Sequence, residues 1–202
     1  MCIICVSEKG IRQPDKELLR TMFSRNPDGA GYMVAENGKV RISKGYMTFN
    51  EFWNEIKRQG FSADDVVVYH FRISTQAGVQ PSMTQPFPYT SNLKNTKVLD
   101  CLADLGIAHN GIIRAFSDPF DKEYSDTAHF IAEWLTETVK KKTDLSEKFL
   151  DALASATYSR FTFLDGKGVV KYSGNFIEDM DGLKFSNMSY LTRATFTSTN
   201  VK

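Results

Sequence analysis

The chain opens on an apolar run, Cys2-Ile-Ile-Cys-Val6, closed by Ser7 and Glu8, which predicts a buried strand over residues 2–8. Leu18, Leu19, Met22 and Phe23 recur at helical spacing and predict a helix over 15–25. Asn26-Pro-Asp-Gly-Ala-Gly31 is a turn cluster leading into a strand over 32–36. Asn37-Gly38 then predicts a two-residue hairpin, whose return strand carries Val40, Ile42 and Lys44. Thr48 with Glu51 three residues on makes a capping box for a helix striped by Phe49, Phe52, Trp53 and Ile56 and ended by Gly60. Val66-Val-Val-Tyr69 centres a buried strand over 65–72. Residues 74–97 hold Gly78, Pro81, Pro86 and Pro88 without periodicity, which predicts a long loop of the kind usually kept for function.

A short strand over 105–109 enters Asn110-Gly111, and a loop covers 118–124. A helix starts at Ser125 or Asp126 and uses Phe130, Ile131, Trp134 and Leu135; a second covers 145–153. Strands over 160–164 and 169–172 flank the hairpin turn Asp165-Gly-Lys-Gly168. From Gly174 on the chain is polar and patternless. No repeat or linker interrupts the series, so residues 1–202 read as a single domain. Hairpins interleaved with helices indicate an α+β fold with antiparallel sheet rather than a doubly wound parallel one.

Charge narrows the function classes. Lys and Arg number 25 against 24 Asp and Glu, a net charge of +1, which excludes a general nucleic-acid or anionic-membrane binder. The one compact basic run, residues 140–142, reads as a solvated helix face or helix C-terminus. No apolar run approaches the length of a membrane span, and Ser7, Glu8 and Lys9 cut the apolar start too short for a secretory leader. Three cysteines, an odd number, point to a reducing compartment and a cytoplasmic location. Cys2 and Cys5 form a C-x-x-C, but strand alternation sends them to opposite faces, so neither a zinc site nor a redox pair is expected. No P-loop or Rossmann fingerprint is present; no metal or cofactor is expected.

Cys2 carries the sharpest chemistry. Removal of Met1, which a small second residue permits, would leave a thiol and a free α-amine on one residue. The amine ordinarily titrates at about 7.7–8.0 and the thiol at about 8.5. A nucleophile and its base would then be poised near working pH. Taken alone, Cys2 is better explained as a small apolar residue at the start of a buried strand.

Four segments decide between these readings. The Cys2 start, Tyr69-His-Phe-Arg-Ile-Ser-Thr-Gln-Ala-Gly78, Ala108-His-Asn-Gly-Ile112 and Tyr124-Ser-Asp-Thr-Ala128 follow in that order. Together they resemble the glutaminase domain of class II glutamine amidotransferases, which are N-terminal-nucleophile hydrolases. Asn26-Pro-Asp-Gly-Ala-Gly31 resembles that family's early Gly-rich turn, Gln85-Pro-Phe87 its loop before the His-Asn-Gly strand, and Phe185-Ser-Asn187 more weakly its tail. The resemblance runs from residue 2 to about 190. A lone His-Asn-Gly carries no such signal; the ordered set does.

The resemblance implies a four-layer αββα sandwich, two antiparallel sheets between helical layers. It implies that Cys2 attacks the glutamine side-chain carbonyl to form a γ-glutamyl thioester, with its own α-amine relaying the proton. Asn110 and the Gly111 N–H would form the oxyanion hole, Arg72 would hold the substrate α-carboxylate, Asp126 would pair with its α-ammonium, and Thr75 would set a hydroxyl beside the substrate. Each has a structural alternative: a tight turn at Asn110-Gly111, an ion pair at Arg72, a helix N-cap or first-turn carboxylate at Asp126. His70 and His109 read as core histidines and His129 as a helix residue, none needed as a catalyst.

The chain departs from the family in two places. Gln76 stands where many members have His, which leaves another γ-glutamyl amide or peptide as an alternative substrate. No synthase-type domain is recognisable beside the glutaminase-like part, so the expected activity is that of a stand-alone hydrolase, with ammonia released or passed to a separate synthase protein. A different class also remains open: a catalytically silent binding or regulatory protein on the same fold, which retention of Met1 would produce by blocking the amine.

Overall fold

The computed structural model describes residues 1–74, 78–118, 120, 121 and 123–191. Its first half follows the predicted alternation. Strand β1 (Ile3–Ser7) is buried along its whole length, and α1 (Lys16–Arg25) starts at Asp15, whose side chain accepts from Leu18 N. Strands β2 (Ala30–Glu36) and β3 (Lys39–Tyr46) are joined by Asn37 and Gly38, both at positive φ, 49° and 78°, as the right-handed twist of a tight hairpin requires. Helix α2 (Phe49–Gln59) has both halves of the Thr48–Glu51 capping box, and β4 (Val67–Phe71) follows, fully buried.

The second half differs more from expectation. The long loop contains two 3-10 turns, Pro81–Met83 and Leu93–Lys97, and a two-residue strand β5 (Phe87–Pro88). Strand β6 (Asp100–Ala103) was not predicted; it is an edge strand with Leu102 exposed, so no apolar alternation marks it. Strand β7 (Leu105–Asn110) runs one residue beyond the prediction. Ser125 caps α3 (Asp126–His129), which widens into a π-helical segment (Phe130–Leu135) and closes in α4 (Thr136–Thr138). Helix α5 (Glu147–Thr157), capped by Ser146, is displaced C-terminally from the expected 145–153, because Leu145 packs in the core ahead of the cap. The hairpin β8 (Arg160–Asp165) and β9 (Val170–Ser173) is as predicted, but the tail adds β10 (Ile177–Glu178) and β11 (Lys184–Phe185).

The strands form two sheets, ordered β10-β11-β1-β4-β2-β3-β6 and β5-β7-β8-β9, and every pairing among the described residues is antiparallel. The fold is therefore α+β with antiparallel sheet. Strand alternation divides the apolar residues. Ile3 and Cys5 face one way, into a core with Leu19, Met22, Phe52 and Ile56 of α1 and α2. Ile4 and Val6 face the other way, meeting Met33, Ile42 and Val68 and, from the second sheet, Ala108 and Leu164. The outer face of the second sheet, through Ile107, Phe161 and Phe163, packs on Phe130, Ile131, Leu135, Leu150 and Leu153. The sheets approach closely at Gly106, where an added Cβ would lie 2.5 Å from Met33 Sδ.

No helix among the described residues is long and apolar enough to cross a membrane. No group of three or more His, Cys, Asp or Glu among them is placed to hold a metal ion.

Candidate active site

The register of β1 on β4 builds the site. Ile3 pairs with Phe71, so Cys2 and Arg72 leave adjacent strands side by side. The Cys2 thiol lies 3.8 Å from Ile73 O, and Cys2 O accepts from Asn187 Nδ2 at 2.8 Å. On the other side of the peptide bond, Met1 O accepts from Asn26 Nδ2 at 2.8 Å. Burial raises the Cys2 thiol pKa; Arg72 and the chain's terminal amine pull it down, and Asp126 adds to the rise. The thiol is thus held protonated and needs a base to act.

The Asn26–Gly31 turn fixes Arg72. Arg72 N donates to Gly29 O at 2.9 Å, and Asp28 N donates to Arg72 O at 3.1 Å. Asp28 Oδ2 also accepts from Ser74 N at 2.7 Å. The buried guanidinium donates through Nη2 to Ser74 Oγ at 3.1 Å and to Gly78 O at 3.2 Å. Burial lowers its pKa, and Cys2, Asp28 and Asp126 oppose that; an arginine keeps its charge through such a shift. Thr75 and Gln76 lie outside the described residues.

Asp126 is the first residue of α3 and not its cap. Its Oδ2 accepts from Ile113 N at 2.6 Å, and its Oδ1 from Thr127 N at 2.7 Å and Thr127 Oγ1 at 3.2 Å. Burial raises the carboxyl pKa against these hydrogen bonds and Arg72. The helix start fixes the carboxylate without consuming its charge, since its partners are dipoles.

Cys2, Arg72, Gly111 and Asp126 line one cavity of about 1060 Å3. Gly111, at φ 155°, packs so closely that an added Cβ would lie 2.0 Å from Ser159 Oγ. Asn110 is not part of the cavity wall. Its Nδ2 donates to Ser186 Oγ at 2.8 Å, and the same oxygen accepts from Ile4 N at 2.9 Å. The Asn110 amide is therefore tied to β1 two residues from Cys2, with one N–H committed to Ser186 and a second left over.

Sequence reasoning did not assign several supporting residues. Gln85 Oε1 accepts from His109 N at 2.7 Å, which anchors the loop to β7 directly before Asn110. Lys44 Nζ, buried, donates to Ser82 O at 3.1 Å and Thr96 O at 2.6 Å and stands 4.0 Å over the Phe87 ring, clamping that loop from beneath. A lysine at an inward strand position was the available signal. Asn26, Asn187 and Ser186 hold the first four residues; the motifs that contain them were visible in the sequence, but this role was not.

No protein-family model matches the chain, and no curated protein does.

Proposed function

We propose that the protein is a cysteine-dependent N-terminal-nucleophile amidohydrolase of the class II glutamine amidotransferase type, on that class's αββα sandwich. The observation that carries this reading is the meeting of Cys2, Arg72, Gly111 and Asp126 around one cavity, although 124 positions separate the first from the last.

The chemistry follows from the positions. With Met1 removed, the Cys2 amine takes the thiol proton as Sγ attacks the amide carbon of glutamine. Gly111 N–H stabilises the oxyanion, a contribution worth about 10²–10³ in rate for one donor; the family resemblance gives Asn110 the second donor, for which its amide turns from Ser186 toward the cavity. The Arg72 charge attracts the α-carboxylate, and Asp126 pairs with the α-ammonium. The C–N bond breaks as the Cys2 amine returns its proton to the leaving ammonia. Water then opens the thioester to give glutamate. The ammonia passes to solvent or to a separate synthase.

The test begins with intact mass of protein from its native host. Cys2 as the first residue is expected, together with ammonia release from glutamine and covalent labelling of Cys2 by a glutamine-analogue electrophile. Retained Met1, with neither release nor labelling, would move the assignment to a silent binding protein on this fold.

A further inference from the structure

The cavity is too large for the substrate that the thioester reading supplies. At about 1060 Å3 it stands at the upper end of the volumes that enclose drug-sized ligands, and a free amino acid occupies a small part of it. Arg72 and Asp126 stand with Cys2 at one part of it; Arg114 and Asp118 also line it. The remainder runs between the π-helical segment and α5, walled by Phe116, Phe130, Trp134, Phe149, Leu153 and Ala156.

The aromatic wall is ordered. Phe130 and Trp134 stack with centroids 5.2 Å apart and planes at 25°, and Trp134 and Phe149 stack at 6.2 Å and 15°; Phe116 meets Phe130 edge-on at 5.6 Å. Trp134 nevertheless stays 38% exposed, because the lobe beside it is open. Across the lobe α5 contributes Ala152 and Ala156, both exposed. A flat apolar group fits such a space, since aromatic rings prefer offset-stacked or edge-on partners.

A glutamyl group held at Arg72 and Asp126 with its γ-carbonyl at Cys2 leaves the amide nitrogen as the atom through which a substituent reaches this lobe.

We propose that the site takes γ-glutamyl amides whose nitrogen bears an aryl group, with the ring in the Phe130–Trp134–Phe149 lobe. The proposal rests on the thioester reading. Cys2 Sγ bonds to the γ-carbonyl carbon, the bond from that carbon to nitrogen breaks, the arylamine leaves with the proton carried by the Cys2 amine, and water hydrolyses the thioester to glutamate.

The experiment compares kcat/KM for γ-glutamylanilide and for glutamine, using protein shown by mass to begin at Cys2. The anilide is expected to be favoured at least tenfold. Ala156→Trp, which enters open space from an exposed helix position, is expected to lower the anilide-to-glutamine ratio at least tenfold while far-UV circular dichroism stays unchanged. Ala152→Phe serves as a second filling variant. Glutamine turnover with no preference for the anilide, or with a ratio that neither filling variant moves, would overturn this inference and leave the thioester reading standing. No turnover of either substrate would overturn the thioester reading, and this inference with it.

Discussion

Asn26 Nδ2 donates to Met1 O at 2.8 Å, so the residue that ends helix α1 also holds the start of the chain. The Asn26 N–H meanwhile caps the helix on Met22 O and Phe23 O, and its amide reaches Phe71 O at 3.4 Å. Asn26→Ala keeps the backbone cap and loses the side-chain hydrogen bonds, a cost of about 1 kcal/mol, or roughly 2–4 °C in Tm for a chain of this size. Removal of Met1 takes the Met1 O acceptor away, so the loss should be larger in protein that retains Met1 than in protein that begins at Cys2, where only the Phe71 O bond remains. Thermal unfolding of Asn26→Ala in both forms checks it; equal losses would show that Asn26 does not hold the start of the chain.

The kinetic roles of Arg72 and Asn110 separate by the parameter they move. Arg72→Lys keeps the charge and loses the planar fork, so KM for glutamine should rise at least tenfold with a smaller change in kcat. Asn110→Ala removes an oxyanion donor, so kcat should fall by about 10²–10³ with KM little changed. Steady-state kinetics of the two variants decide it, and unchanged parameters in both would remove the site assignment.

Gly111→Ala tests the wall opposite Cys2. The new Cβ would lie 2.0 Å from Ser159 Oγ and 2.7 Å from Ser159 Cβ, at a φ of 155° that L-residues avoid. Forcing β7 and Ser159 apart should cost about 1–3 kcal/mol. Ser159→Gly removes both clashing atoms, so Gly111→Ala with Ser159→Gly should be more stable than Gly111→Ala alone. Denaturant unfolding of the four proteins in the cycle gives the coupling directly.

What the sequence showed of this molecule was what short-range physics decides. Asn37-Gly38 and Thr48–Glu51 could be read because the turn and the cap are made by residues within three positions of one another. Strand β6 was missed because an edge strand with Asp100 and Leu102 exposed needs no apolar alternation, only the unpaired edge of β3. Strand β11 was missed because two residues carry no period; β1 holds it through Cys5–Phe185 and Val6–Lys184. The π-helical turn escaped because Phe130, Ile131, Trp134 and Leu135 satisfy α spacing equally well. At the site the residue types were legible in short motifs. The turning of Asn110 toward Ser186 was not, since it depends on the tail returning beside β1, 182 positions from Ile4.

Acid should destabilise the protein through its two core histidines. His70 donates from Nε2 to His109 O at 3.1 Å, and its Nδ1 is buried with no partner among the described residues. Burial pushes the pKa of His70, and of His109, down to about 3 from an ordinary 6.5. The unfolded chain therefore takes up a proton at each as pH falls below about 6.5, and the folded chain does so only near 3. Stability is fully present above 6.5 and declines below it, at about 1.4 kcal/mol per pH unit for each histidine. His129 runs the other way: burial lowers its pKa, but its bonds to Glu133 and Asp121 outweigh that, so its contribution changes only above about 6.5. Most carboxylates titrate below about 4.5. Between about pH 6 and pH 5 the buried pair dominates, and unfolding free energy should fall by roughly 2.4 kcal/mol. His70→Gln, which retains an amide donor for His109 O, should halve that slope. Urea unfolding of both proteins across the interval measures it, and equal slopes would show that His70 does not resist protonation in the folded chain.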